Sequence, residues 1–449
     1  MVRTAHPTDF LMRNIWKTAF ILSSLITALP AAADDLLSIY RLALDSDPGF
    51  QAASAAHQAA LEVRPQSLAG LLPDLSLSGA YSRDRFDPRN IEPRTYATNE
   101  TYSIGLRQPV FRRDRFIQLE QADSRIAQAD AEFAAAGQDL ILLVATTYFT
   151  VLGAQDNLAF VRADKEAITR TLDQAQQRFE VGLAAITDSL KAQAAYDIAV
   201  SDEIDAEQLL ADAHEALREL TGELPGTVES LQPDIPLLTP EPGDQEAWVA
   251  AATEQNPLVL AARAAATTAR EEVRVQQSGH FPTLDLTADY SYRDNRFGGV
   301  TPLERDDSSV GLELNLPIYQ GGRVASQARQ SRYLYNQALE EQAGQQRNTE
   351  RQTRDNYRGI ISGISRVKAL ARAIQSNEKA YEAAKSGFDV GTRDIVDVLD
   401  AQRELLRARR DHARSRYDYL LDTLRLKQAA GILEEPDIVQ INEWLVENE

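Results

Sequence analysis

Two aspartates three residues apart, Asp397 and Asp400, stand in "VGTRDIVDVLDAQ", a few residues behind Gly391 and Arg393. At that spacing two carboxylates share one face of a helix. They could stabilise a helix N-terminus by about 0.3–1 kcal/mol each, attract a cation, or act as an acid–base pair. A hydrolase built on such a pair needs a cleft to hold its substrate, and the surrounding sequence offers only thin helical seams. The five histidines (His6, His57, His214, His280, His412) are scattered, with none at metal-ligand spacing. The absence of cysteine excludes disulfides and thiolate metal sites. No phosphate-loop, nucleophile-elbow or dinucleotide motif occurs, and "QGGRV" at 320–324 lacks the Lys-Ser/Thr of a phosphate loop. No enzyme, metal or cofactor is therefore expected. A net charge of −20 argues against nucleic acid as a partner.

The same stretch has an echo. "FDVGTRDIVDVLDAQ", Phe388 to Gln402, repeats the pattern of "FEVGLAAITDSLKAQ", Phe179 to Gln193, at an offset of 209 (391 less 182). That offset also pairs Pro48 with Pro257, Pro73 with Pro282, Tyr148 with Tyr357, Asp188 with Asp397 and Gly222 with Gly431. Coincidence does not hold so many anchors in register, so the chain reads as a tandem duplication. The first repeat spans 34–223 and the second 246–431. A proline-rich linker, 224–245, lies between them, and an acidic tail, 432–449, follows.

Within each repeat the hydrophobic period changes from helix to strand and back. Leu75, Leu77 and Tyr81 alternate with serines, and Leu284, Leu286, Tyr290 and Tyr292 alternate with Asp285, Thr287 and Asp289. Strands are expected at about 74–86, 101–109, 283–293 and 308–316. Proline-free helical stretches follow at about 112–181 and 322–390. Two shorter helical pieces per repeat (35–72 and 188–222, then 246–281 and 397–431) sum to about one long helix. The arithmetic suggests two half-length helices stacked end to end beside a long one. The fold class is mostly α with a small β part.

Residues 1–33 read as a cleaved Sec signal peptide. Arg13 and Lys17 precede the apolar run 18–30, and Ala31 to Ala33 offer the cleavage site. Met12 is a second possible start. No later stretch reads as a membrane helix, so any membrane crossing must use strands. A four-strand sheet with one apolar face either packs on helices in a soluble domain or joins other copies in a barrel facing lipid. Transmembrane barrels start at eight strands, so two copies or three are needed. Asp285, Asp289 and Glu313 would then line a watery lumen.

The motifs "LLSIYRLALDSDP", "LLPDLSLS", "RFEVGLAAITD", "GHFPTLDLTA", "LPIYQGGRV" and "VGTRDIVDVLDAQ" run from about Asp35 to Gly431. In them the chain resembles the outer membrane factor family, the TolC-like channel-tunnels of Gram-negative efflux and type I secretion machines. The resemblance implies a homotrimer: a twelve-stranded barrel in the outer-membrane lipid on a periplasmic helical tunnel, with linker and tail in an equatorial belt. It implies a periplasmic adaptor (a membrane fusion protein) and an inner-membrane RND, MFS or ABC transporter as partners. Val181, Gly182, Leu183, Val390, Gly391 and Thr392 would be tip turns that dock the adaptor. Asp397 and Asp400 match the acidic ring of the periplasmic entrance. Thr187, Asp188 and Arg393 match gate-locking positions, and Phe388 stands where the family pattern has a tyrosine, so a hydroxyl bond to Asp188 is lost. Asp394 is an added acid outside that pattern. The competing reading is a soluble periplasmic coiled-coil scaffold.

Overall fold

The computed structural model describes residues 35–86, 95–183, 185–223, 226–297 and 303–446. The signal peptide expected over 1–33 lies outside them. The first repeat runs α1 (Leu36–Ser46), α2 (Pro48–Leu61), α3 (Val63–Ala69), β1 (Asp74–Phe86), β2 (Thr95–Phe111), α4 (Arg113–Glu180) and α5 (Ile186–Thr221). After a short strand, β3 (Ser230–Leu231), the second runs α6 (Gln245–Gln255), α7 (Pro257–Ser278), β4 (Thr283–Phe297), β5 (Leu303–Asn315), α8 (Arg323–Asp389) and α9 (Ile395–Ala430). The tail forms α10 (Glu435–Asn442) and β6 (Leu445–Val446), and β6 pairs with β3.

The 68 residues of α4 and the 67 of α8 make rods of roughly 100 Å at 1.5 Å per residue. Contacts along α4 place its neighbours in sequence. Asp123 and Asp130 meet Arg64 and His57 of α3 and α2, at 3.2 and 2.6 Å. Further down, Arg162 reaches Glu203 and Glu207 of α5, at 3.2 and 2.7 Å. The short helices thus stack beside the long one. The stretch 35–72 is three helices rather than one; the first break falls where Asp47 caps α2 by accepting from Phe50 N at 2.6 Å, with Pro48 at the first helical position. Asn256 and Pro257 do the same for α7, 209 residues on (256 less 47), where Asn256 accepts from the Leu258 and Val259 amides at 3.0 and 3.2 Å.

The four long strands form one antiparallel sheet in the order β1-β2-β4-β5. Register puts Leu75, Leu106, Ala288 and Val310 in one row, and Leu77, Ile104, Tyr290 and Ser308 in the next. Among the described residues no helix covers that face: Leu77 is 80% exposed and Val310 78%. β2 and β5 start about five residues before the alternation does. Their first residues carry no apolar face, so period two is invisible there.

The main core lies midway along the helices. Tyr148 and Leu152 of α4, Leu217 of α5, Ile360 of α8, Leu420 and Leu424 of α9, and Ile438 of α10 are buried together. The paired tyrosines hold the linker: Tyr148 donates to Glu229 O at 2.9 Å, and Tyr357 to Gly243 O at 2.8 Å. One window of α4 is long and apolar enough to cross a membrane, contrary to the reading that no later stretch qualifies. Of that window 56% is buried inside the protomer, and it contributes Tyr148 and Leu152 to the main core.

Candidate functional site

At the end far from the sheet, α4 and α8 finish in the same way. Leu183 N bonds to Arg178 O at 2.8 Å and Gly182 N to Phe179 O at 2.9 Å; Thr392 N bonds to Gly387 O at 2.8 Å and Gly391 N to Phe388 O at 3.1 Å. Both are Schellman closures, which need a left-handed residue after the cap. Gly182 and Gly391 supply it with φ of 76° and 79°. A Cβ built on either would meet nothing within 4 Å. The left-handed backbone itself, not crowding, is what requires glycine there.

The turns leave Val181, Leu183 and Val390 exposed at one end of the protomer, beside Gly182, Gly391 and Thr392. Behind them lies a small shared core: Ile168, Leu172 and Ala175 of α4, Ala192 of α5, Ala384 and Phe388 of α8, and Ile395 and Val398 of α9. Phe388 is only 6% exposed. Its role in this protomer is packing.

Polar contacts join the two turns. Arg178 donates to Phe388 O at 2.8 Å and Asp389 O at 2.6 Å, and its guanidinium lies 4.7 Å from the centre of the Phe388 ring. Gln174 donates to Asp389 at 2.9 Å. Lys191 of α5 sits 3.5 Å from Asp394, which also caps α9 by accepting from Val396 N. The sequence alone assigns a role to none of these five polar residues, Arg178, Gln174, Asp389, Lys191 and Asp394. Arg178 could have been noticed, since it sits inside "RFEVG" where the second repeat has Gly387. That glycine is needed: a Cβ there would meet Arg393 Cγ at 2.9 Å. Arg393 itself turns back along α9, 3.7 Å from Asp397. Thr187 and Asp188 lie on the first turn of α5, Thr187 exposed and Asp188 half-buried.

Asp397 and Asp400 are exposed on the first turns of α9, and Asp400 lies 3.0 Å from Arg403. One turn further, Gln402 is buried and donates to Asp164 of α4. Burial pushes the Asp164 carboxyl above the usual range, with the Gln402 bond opposing. Among the described residues no group of three or more His, Asp or Glu is placed to hold a metal ion.

On the polar face of the sheet the expected lumen residues separate into two kinds. Asp285 is 2% exposed, clamped by Arg112 at 2.6 Å and Arg107 at 3.2 Å, and Arg107 also reaches Glu313 at 3.1 Å. Asp285 is thus a joint between strand and long helix, not a free charge facing water. Asp289 is exposed beside Gly105.

Comparison with known proteins gives this geometry its context. The outer membrane efflux protein family matches twice, over residues 39–223 and 248–432, an offset of 209 (248 less 39) that equals the internal repeat. The outer membrane protein TolC of Vibrio cholerae is 38% identical over 92% of this chain and 94% of its own. The alkaline protease secretion protein AprF of Pseudomonas aeruginosa is 28% identical over 95% and 90%. Among solved structures, the transmembrane channel CusC superposes with a TM-score of 0.77 at 16% identity, covering 89% of this chain and 92% of that one. The fold is that of the tandem-repeat efflux channels, and the chain belongs to the outer membrane efflux protein family.

Proposed function

We propose that the chain assembles as a homotrimer whose sheets close into a twelve-stranded outer-membrane barrel over a periplasmic helical tunnel. The trimer serves as the exit duct for multidrug efflux and type I protein secretion. The observation that carries this reading is an open four-stranded sheet with an uncovered apolar face, mounted on helices of roughly 100 Å. Such a face is stable against lipid, and its strand edges are satisfied only by further copies. An eight-stranded barrel is filled by its own side chains, so a duct calls for three protomers rather than two.

In this reading Val181, Gly182, Leu183, Val390, Gly391 and Thr392 dock a periplasmic adaptor, which links the tunnel to an inner-membrane RND, MFS or ABC transporter. Asp397 and Asp400 ring the periplasmic entrance. Thr187, Asp188 and Arg393 lock the closed gate between neighbouring protomers, while Phe388 and Arg178 hold the two turns of each protomer together. The secretion role draws support from the relative named for alkaline protease secretion.

The test is to purify the mature protein in detergent, measure its mass, and record current across a planar bilayer. A trimer with discrete single-channel steps is expected. A monomer that is soluble without detergent and conducts nothing would instead establish a periplasmic coiled-coil scaffold.

A further inference from the structure

At the end of the sheet away from the helices, the apolar face gives way to a row of acids. Beyond Leu77, Ile104 and Tyr290, register sets Gly79, Tyr102, Tyr292 and Asp306 in one row. The next row on the same face is Tyr81, Glu100, Asp294 and Glu304, and the one after it holds Arg83, Thr98 and Arg296. We propose that this outward rim binds a phosphorylated lipid of the outer leaflet, through a divalent cation held at Glu100, Asp294 and Glu304. The proposal rests on the reading that the apolar face meets lipid.

Height on the barrel decides what these acids meet. Asp294 is ten residues from Leu284 (294 less 284), about 33 Å along a strand at 3.3 Å per residue. At the tilt of barrel strands, about 40°, that is roughly 25 Å of height, the whole apolar band of such a barrel. Tyr81, Tyr102 and Tyr292 sit at this level, where aromatic girdles mark the membrane interface. The acids therefore begin where hydrocarbon gives way to headgroups.

Glu100 and Glu304 stand directly opposite Asp294, one on each side. Like charges so placed destabilise a sheet. Arg296 is a cation that all three share, one positive charge against three negative. Asp294 is 2% exposed, yet only one of its oxygens is used. Oδ2 accepts both bonds from Arg296, at 2.9 and 2.7 Å, and Oδ1 has no partner. A buried carboxylate oxygen left empty is costly, and a cation satisfies it. Arg296 is 60% exposed, so a surface side chain is what must move to admit the ion. The neighbouring Asp306 is already engaged, accepting from Tyr290 at 2.9 Å.

Among the described residues no three acids are placed to hold a metal unaided. A calcium ion takes about 6–8 oxygens, so the remainder must come from outside the protein. At headgroup level the oxygens at hand are those of lipid phosphates. Arg83, 4.9 Å from the centre of the Tyr96 ring, and Arg296 stand one row further out. Guanidinium groups there can bond the same phosphate directly. Carboxylates for the ion and arginines for the phosphate it carries thus lie in adjacent rows.

The experiment measures retention of lipid A by the full mature protein in detergent, in calcium chloride or in EDTA. Native mass spectrometry counts the adducts on each trimer, and lipid A stripped of its phosphates is the control. Wild type should retain the phosphorylated lipid in calcium and lose it severalfold in EDTA. Glu304→Gln, at an exposed position, should weaken retention in calcium. Glu100→Gln combined with Asp294→Asn should abolish the calcium dependence. Single-channel conductance should be unchanged in every variant, because the rim faces away from the lumen. Equal retention of the dephosphorylated lipid, or retention indifferent to EDTA and to Glu304→Gln, would mean plain apolar adhesion. Either result overturns the proposal and leaves the barrel standing. A protein that neither forms trimers nor enters a bilayer brings down the barrel reading and the proposal with it.

Discussion

Arg178 sends both branches of its guanidinium to the last carbonyls of α8, those of Phe388 and Asp389. Those carbonyls lie in the last turn of α8, where intrahelical donors run out and the helix dipole is negative; Phe388 O also accepts from Gly391 N. A fork that bonds two of them at once fastens the second-repeat turn to the first-repeat helix. Hydrogen bonds from a charged donor contribute about 1.5–3 kcal/mol where they are shielded; in this partly exposed place the lower end applies. Arg178→Ala should therefore cost about 1–2 kcal/mol in denaturant unfolding and raise the resting single-channel conductance. Arg178→Lys should recover only part of either, because an ammonium cannot make the bidentate fork. Resting conductance unchanged in Arg178→Ala would show that the turns are held elsewhere. The Lys191–Asp394 pair is weaker and both partners are exposed. Asp394 also caps α9, so asparagine is the right probe, since it keeps the cap and removes the charge. A double-mutant cycle of Lys191→Met and Asp394→Asn should give a coupling of about 0.2–1 kcal/mol that fades in high salt. A coupling of zero at low salt would remove the pair from the latch.

At the scale of elements, the change of period along the chain was enough to read the strands and the two long helices. The first break within 35–72 and the break within 246–281 are signalled by Asp47-Pro48 and Asn256-Pro257, because a residue before proline avoids the helical region. Those prolines had been used only as markers of the repeat. The contacts between the turns were not legible in the same way. Lys191 and Asp394 stand 203 residues apart (394 less 191), off the repeat offset, and only the docking of one repeat on the other brings them together. The same holds for Asp164, an ordinary acid in the sequence that the structure half-buries where α4 meets α9, against Gln402. Burial holds its pKa above the value of 3.8 it has when unfolded. The folded state then binds more protons than the unfolded state in the window between the two values, so stability falls as pH rises through it. At neutral pH the penalty is fully present. Asp164→Asn keeps an acceptor for Gln402 and removes the buried charge. Its melting temperature should match or exceed wild type at pH 7, with a flatter dependence between pH 7 and pH 4. A steeper dependence in the variant would contradict this assignment of the buried charge.

For the whole molecule the decisive feature is what the sheet leaves undone. β1 and β5 are its edges, and each is 13 residues long. Both carry leucines on the exposed apolar face and small or polar residues on the other (Ser76 and Ser78 of β1; Ser309, Gly311 and Glu313 of β5), so β5 of one copy can continue into β1 of the next without either face changing character. In the proposed membrane assembly an open edge would not be tolerated, so closure would recruit whole protomers, four strands at a time. Two protomers make a barrel plugged by its own side chains and three make one with a lumen, and the long helices of each copy are carried round with the strands. The absence of cysteine makes this directly testable. Cysteines placed singly at Ser76 or Ser78 of β1, each combined in turn with one at Ser309 or Gly311 of β5, scan the junction on its polar face. Where the register brings a pair within disulfide reach (Cα atoms about 4.4–6.8 Å apart), oxidation in membranes should link chains into dimers and trimers and stop there. A ladder that ends at two chains would mean an eight-stranded barrel with no passage, and would remove the duct while leaving the membrane insertion intact.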